Sequence, residues 1–259
     1  MKLSIIIPCY NEKNNFLKII SKILKIKINK EIIIVDDGST DGTRNIIESK
    51  IKNKCIKKIY HKKNLGKGAA IKSAKKLVAG NIVIIQDADL EYYPSDYHNL
   101  IKPIQAKKAN VVYGSRLLGK KKYKLKDNFY AYYRVLGNQI LTILSNILNG
   151  QKLTDAHTCY KVFDTKIFKK IKLEETDFAF CPEITTKLSS INEKIIEVPI
   201  KYSGRNYKEG KKITLIDGVI ALKTIFYYRF IKKIFKENKI DEKKSINFWY
   251  YWSRRRLFV

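Results

Sequence analysis

The chain has 259 residues, of which 45% are hydrophobic, and a formal net charge of +29 from 53 Lys and Arg against 24 Asp and Glu. That length and apolar content suit one sizeable α/β domain and exclude a disordered chain. Four scattered cysteines (Cys9, Cys55, Cys159, Cys181), none in CxxC spacing, and three scattered histidines exclude a disulfide framework or a zinc site and fit a reducing compartment.

In chain order, Met1-Lys2-Leu3 runs straight into an apolar strand, so no signal peptide is expected. Residues 3–8, 31–36, 56–60, 81–86 and 110–114 read as strands, the second and fourth as unbroken Ile/Val runs of the kind that lie in a parallel sheet covered on both faces. Between them, residues 14–27, 43–52, 68–79 and 95–107 read as helices, with Gly80 as the stop of the third. The alternation predicts a Rossmann-like, mostly parallel sheet flanked by helices. Residues 127–148 follow as a long helix with Leu136, Ile140, Ile143, Leu144 and Ile147 on one stripe. A shorter helix at 182–191, a strand at 194–202 and an amphipathic helix at 215–235 come next, and then a charged and aromatic tail ending in Arg254-Arg255-Arg256. No apolar run reaches the roughly 18 residues of a membrane span. The nearest approach, 213–231, is broken by Asp217, Lys223 and Arg229. The expected division is a catalytic domain over 1–212, a membrane-surface helix over 213–235 and a basic, aromatic tail over 236–259.

Ligands of open α/β sheets bind at the carboxyl ends of the strands, and polar clusters fall at four of those ends. They are Pro8-Cys9-Tyr10-Asn11-Glu12, Asp36-Asp37 with Gly38-Ser39-Thr40-Asp41-Gly42, Asp87-Ala88-Asp89-Leu90-Glu91, and Gly114-Ser115-Arg116. Any one of them reads equally as a turn or helix cap; four along one edge read as a carboxylate-lined cleft. Asp87 and Asp89, with Glu91 as a third oxygen donor, have the chemistry to hold Mg²⁺ or Mn²⁺, which in turn grips a diphosphate. Asp36 and Asp37 suit hydrogen bonds from a base or ribose, with Asp41 as the expected helix cap. Asn64-Leu65-Gly66-Lys67-Gly68 opens a helix and suits a phosphate, with Lys67 as the cation, although it has neither P-loop nor GxGxxG spacing.

These motifs, in this order, resemble glycosyltransferase family 2, which has the GT-A fold. The second half narrows the resemblance: Tyr113-Gly114-Ser115-Arg116, Arg134-x-x-x-Asn138, Asp155-Ala156-His157-Thr158-Cys159-Tyr160-Lys161-Val162-Phe163, Pro182-Glu183-Ile184, Glu197-Val198-Pro199-Ile200-x-Tyr202 with Arg205, and Glu209-Gly210-Lys211-Lys212 are similar to dolichol- or polyprenyl-phosphate sugar transferases. The resemblance implies that Pro8, Tyr10, Glu12, Asp36, Asp37, Lys67 and Asp87 hold a nucleotide-sugar donor such as GDP-mannose or UDP-glucose. It further implies that Asp87, Asp89 and Glu91 hold the metal, that Asp89, Arg116, Arg134 and Asp155 serve catalysis, and that Arg134, Arg205 and Lys212 face the phosphate of a polyprenyl or dolichyl acceptor. Many members carry Gly at Cys159 and Gln at Glu91. Some relatives carry C-terminal transmembrane helices; here attachment would be peripheral, on an anionic membrane surface facing the cytoplasm, or through a membrane-protein partner.

A family 2 enzyme acting on a saccharide or lipopolysaccharide hydroxyl is the nearest alternative; it needs a general base, and Asp155 is the candidate, ahead of His157. The charge alone would also fit a noncatalytic membrane- or nucleic-acid-binding protein. However, the basic residues are spread along the chain and no nucleic-acid-binding motif is visible, so no nucleic-acid partner is expected.

Overall fold

A computed structural model describes residues 1–119, 129–205 and 215–232. Seven strands form one sheet: β1 (Leu3–Cys9), β2 (Lys30–Asp36), β3 (Ile56–Tyr60), β4 (Ile82–Ile85), β5 (Val111–Ser115), β6 (Lys161–Asp164) and β7 (Ile195–Pro199). Their order is β3-β2-β1-β4-β6-β5-β7. The helices are α1 (Phe16–Lys25), α2 (Thr43–Lys50), α3 (Lys67–Lys75), α4 (Tyr97–Gln105), α5 (Phe129–Asn149), α6 (Thr165–Lys170), α7 (Phe180–Ser190) and α8 (Leu215–Phe226), which runs on as a π-helical turn over Tyr227–Ile231.

The isoleucine and valine runs of β1, β2 and β4 are buried on both faces, as their lack of alternation implies. β1 lies between β2 and β4, parallel to both, with Ile5 beside Ile32 and Ile84. Pro8 stands past the end of the β4 pairing, where a missing N–H is tolerated. Helix α1 covers the sheet with Phe16, Ile19, Ile20 and Ile23, a one-face helical spacing.

Two elements were not foreseen. β6 is only four residues long, and it enters antiparallel between β4 and β5, with Val162 opposite both Ile84 and Val112. α6 follows directly, with Asp164 accepting the Lys166 amide at its start. α3 also stops at Lys75, five residues before Gly80. That glycine instead lies against β1, where a Cβ would come within 2.6 Å of the Lys2 carbonyl and the Ser4 hydroxyl.

α5 is turned inside out. Thr142, Ser145 and Asn149 are buried, whereas the predicted apolar stripe faces outward: Ile140 is 50% exposed, Ile143 57% and Ile147 71%. α8 packs beside α5 and α7. It buries Ala221, Thr224 and Ile225 while exposing Ile216, Val219, Leu222 and Phe226. No helix among the described residues is long and apolar enough to cross a membrane. Lys212, the segment 206–214 and the tail beyond 232 lie outside the described residues.

Candidate functional site

The strand ends bring the predicted carboxylates to one edge of the sheet. Glu12 follows β1 through Asn11, which takes a left-handed φ of +52°. The turn after β4 is tight: Leu90 has φ +66°, and Asp89 Oδ1 accepts the Glu91 amide at 3.1 Å. Two cations from distant parts of the chain meet these acids. Lys67 Nζ lies 2.6 Å from Asp87 Oδ1 and 3.5 Å from the Cys159 sulfur. Arg205 reaches Glu12 with both terminal nitrogens (3.2 and 3.1 Å), Asp89 Oδ2 at 3.0 Å and Glu91 Oε1 at 3.6 Å. The Arg205 amide also donates to Glu91.

Burial opposes ionisation of Asp87, and Lys67 overcomes it, holding the carboxyl below the usual range. Burial likewise opposes the charge on Lys67, and Asp87 holds its ammonium well above the usual value. Asp89 goes the other way: burial, then Asp87 and Glu91, push it up to about 7 against the pull of Arg205. The cluster therefore carries more negative charge than its two cations neutralise. Its donors are all carboxylate oxygens, the set that suits a hard divalent ion. A ready-made chelate of Asp87, Asp89 and Glu91 is not what the side chains form. No group of three His, Cys, Asp or Glu among the described residues is arranged around a common metal position. The reason is visible: Asp87 turns toward Lys67, whereas Asp89 and Glu91 turn toward Arg205.

The β2 end is braced internally. Asp36 accepts from Arg44 Nε at 2.7 Å and from the Ser39 amide. Asp37 accepts the Leu65 and Gly66 amides and contacts His61 Nδ1 at 2.6 Å, with His61 Nε2 reaching Ser73. Asp41 accepts the Thr43 amide and the Lys13 amide, but the N-cap of α2 is Gly42 in a left-handed conformation, not Asp41 as expected. The glycines before α3 serve close packing. Gly66 has φ +96°, a Cβ there would collide with the Thr176 carbonyl, and Thr176 accepts the Ala69 amide. A Cβ on Gly68 would lie 2.5 Å from the Glu175 carbonyl. The helix start read as a phosphate cradle is thus covered by the 175–176 backbone, and Lys67 points at a carboxylate.

Beyond β5, Arg116 and Asp155 form a bidentate fork, Nε to Oδ2 at 2.6 Å and Nη2 to Oδ1 at 2.7 Å, with the Arg116 amide donating as well. Burial opposes the Asp155 charge, and Arg116 overcomes it, keeping the carboxyl below its usual range. Glu197 on β7 holds the turn by accepting the Thr154 and Asp155 amides and the Thr154 hydroxyl. Tyr202 lies against the Arg116 guanidinium at 5.1 Å. A small pocket, with room for about one water, lies between this fork and α5, lined by Asn138, Gln139, Thr142 and Thr154. Arg134 precedes Val135 of that lining on the α5 backbone, but its side chain lies outside the described residues. His157 is driven down to about 4, first by burial, which leaves it neutral near pH 7.

Sequence reasoning quoted Glu197 and Lys161 only within family motifs, without a role, and missed His61 and Gln86. Lys161 is fully buried, donates to the Ala156 carbonyl and stands 3.7 Å from the Tyr113 ring centroid. Its place in the quoted Asp155–Lys161 motif was the available signal, but a lysine in a strand core is not a pattern that periodicity marks.

Comparison with known proteins identifies the fold and the family. The chain is 28% identical over 247 residues to a dolichol-phosphate mannosyltransferase of Pyrococcus furiosus, covering 93% of this chain and 66% of that one. It is 29% identical over 238 residues to a dolichyl-phosphate beta-glucosyltransferase of Trichomonas vaginalis, covering 86% and 71%. Among solved structures, glucosyl-3-phosphoglycerate synthase of Mycobacterium tuberculosis, in complex with Mg²⁺ and uridine diphosphate, superposes with a TM-score of 0.65 at 16% identity over 88% of this chain and 79% of that one. That likeness places the sheet and its helices in the GT-A fold. The model of glycosyl transferase family 2 matches residues 4–172. This chain, with its acidic turn after β4 and its GT-A sheet, belongs to glycosyltransferase family 2.

Proposed function

We propose that the protein transfers a hexose from a nucleotide-sugar donor to a polyprenyl or dolichyl phosphate at a membrane surface. The observation that carries the acceptor class is the Arg116–Asp155 fork. A hydroxyl acceptor must lose a proton, and the carboxylate beside the pocket has both oxygens committed to an arginine and a depressed pKa. A phosphate monoester needs no such base, because its second pKa lies near about 6. It needs fixed cations, and a guanidinium braced by Asp155 and Tyr202 suits that role without further reorganisation. In the reaction, a phosphate oxygen attacks the anomeric carbon as the bond to the nucleoside diphosphate breaks, with inversion. Arg116 and Arg134 would orient the acceptor, while Arg205 is held by Glu12, Asp89 and Glu91; Lys212, expected to face the same phosphate, lies outside the described residues.

The donor would lie along the edge formed by Pro8, Tyr10 and Glu12, with Asp36 and Asp37 bracing the adjoining loops and Lys67 acting through its pair with Asp87. Asp87, Asp89 and Glu91 would hold Mg²⁺ or Mn²⁺, whose bound charge would stabilise the leaving diphosphate. The outward stripes of α5 and α8 and the chain's +29 charge support a peripheral place on an anionic bilayer. The test is incubation with Mn²⁺ or Mg²⁺, a panel of radiolabelled nucleotide sugars and polyprenyl phosphate. Label is expected in the organic phase; label appearing only on water-soluble hydroxyl acceptors would overturn the reading.

A further inference from the structure

Gln86 follows β4 directly and stands before Asp87, fully buried. Its main-chain N–H donates to the Ile6 carbonyl of β1. Its side-chain Oε1 accepts two phenol protons, from Tyr97 at 2.7 Å and Tyr160 at 2.6 Å. Its Nε2 donates to the Asp87 carbonyl at 2.9 Å. Because the Asp87 carbonyl can only accept, the amide has one consistent orientation, nitrogen toward the acidic turn and oxygen toward the tyrosines, whose hydroxyls then donate. Three polar side chains buried together give little net stability over an apolar packing of the same shape. What such a network does give is a defined geometry.

The two tyrosines come from separate elements and meet at the Gln86 oxygen. Tyr97 is the first residue of α4, and Tyr160 immediately precedes β6. The Tyr160 ring packs on Tyr92 (4.8 Å between centroids) and Tyr97 (5.9 Å), and Tyr92 packs edge-on to Tyr202 (5.0 Å). The Tyr202 hydroxyl then donates to Glu91 Oε2 at 2.7 Å. Tyr92 accepts the Cys159 amide, fixing the residue whose sulfur touches Lys67. A row of four tyrosines therefore runs beneath residues 87–91 and grips the turn at both ends, through Gln86 before Asp87 and through Glu91.

We infer that Gln86, oriented by Tyr97 and Tyr160, is a positioning residue that sets the placement of the Asp87-x-Asp89 turn toward the metal and diphosphate of the donor. This rests on the proposed reading of that turn. Gln86 touches no substrate; it acts through the Asp87 backbone. Supporting residues one step removed from metal-binding groups typically control affinity by about tenfold to a hundredfold.

The experiment is calorimetric titration of GDP or UDP, with and without Mn²⁺, into the wild type, Gln86→Met, Tyr160→Phe and the Tyr97→Phe/Tyr160→Phe double variant. Urea midpoints are measured alongside. The expected result is Mn²⁺-dependent nucleoside diphosphate binding weakened by about tenfold or more in Gln86→Met and the double variant, with Tyr160→Phe intermediate. Binding of the unphosphorylated nucleoside should be unchanged. Should Gln86→Met fail to fold, the single hydroxyl deletion in Tyr160→Phe decides, since it removes one atom from the network. Variants whose urea midpoints fall while Mn²⁺-dependent binding stays at wild-type strength would show a packing role only and overturn the inference. Wild-type protein that binds neither nucleotide with Mn²⁺ would defeat the reading of the turn itself, a result distinct from the first.

Discussion

Arg205 and Glu12 meet as a two-pronged pair across 193 residues of sequence, and the same guanidinium spans to Asp89. Arg205 is therefore the internal counter-charge of the acidic cluster. Arg205→Ala should lower the stability of the protein in EDTA by about 3 kcal/mol, the cost of leaving buried carboxylates unpaired. Added Mn²⁺ should then raise the melting temperature of the variant more than that of the wild type. Equal melting temperatures in EDTA would show that Arg205 contributes nothing to holding the cluster.

Asp155→Asn separates two roles by pH. If Asp155 only holds Arg116, the variant loses turnover because the guanidinium is no longer locked, and the shape of the pH–rate profile persists. If Asp155 were a general base, the acidic limb of that profile would disappear with the carboxylate. The first outcome is expected, with donor affinity within about twofold of wild type, as the fork lies apart from the β1 and β2 ends.

Gly66→Ala should be severe. It combines a strained φ with collision against the Thr176 carbonyl, and should cost more than about 2 kcal/mol in urea unfolding. It should also weaken donor binding, because Lys67 follows directly. Gly150→Ala is the control: its φ is +62°, but a Cβ would meet nothing within 4 Å, so about 1 kcal/mol is expected. Similar losses at both positions would remove the packing account of the α3 start.

Glu31 makes the stability acid-sensitive. It accepts from Ser4, from the Ala79 and Gly80 amides, and from Lys2 and Lys57. Burial opposes its charge, but these donors prevail and bring its pKa from 4.5 to about 2. A depressed carboxyl stabilises the fold above its unfolded pKa, and that contribution is lost as pH falls through the folded value. At about 1.4 kcal/mol per unit, it amounts to roughly 3 kcal/mol at neutral pH, declining between about pH 4.5 and 2. Glu31→Gln should lower the urea midpoint at pH 7 and flatten its dependence on pH in that window. A steep acid transition retained in the variant would assign the effect to other groups.

The outward stripes of α5 and α8 predict salt-sensitive recovery with anionic vesicles. Ile143→Glu together with Ile216→Glu places charge on the two exposed faces, at positions 57% and 70% exposed. Folding stability should change little and vesicle recovery should fall severalfold at low salt. Undiminished recovery would move the contact to another surface.

The parallel half of the sheet was legible because buried strands announce themselves as unbroken Ile and Val runs, and the four acidic or polar strand ends follow from where those runs stop. β6 was not legible. Four residues, one of them a buried lysine, carry no period, and its antiparallel insertion is decided by contacts with β4 and β5 far away in sequence. The same limit hid the pairing of Lys67 with Asp87 and of Arg205 with Glu12: the residue types were visible, but their partners depend on which loops fold back over the strand ends. The Gly66–Gly68 segment misled for a physical reason, since glycine before a helix serves close backbone approach as readily as it serves a phosphate.

The central place of β6 also bears on how the chain assembles. Among the described residues, β5 pairs with β6 and β7, and β6 links it to β4. Residues 1–115 can build the β3-β2-β1-β4 half as they emerge from the ribosome, but β5 has no sheet partner until residues 161–164 have been made. During that interval the edges of β4 and β5 stay open, a state prone to mispairing. Closure of the sheet is thus a late, long-range event, and it delivers Cys159 against Lys67 and Tyr160 against Gln86, beside the acidic turn. A nascent chain stalled before β6 would carry the acidic turn but not these neighbours.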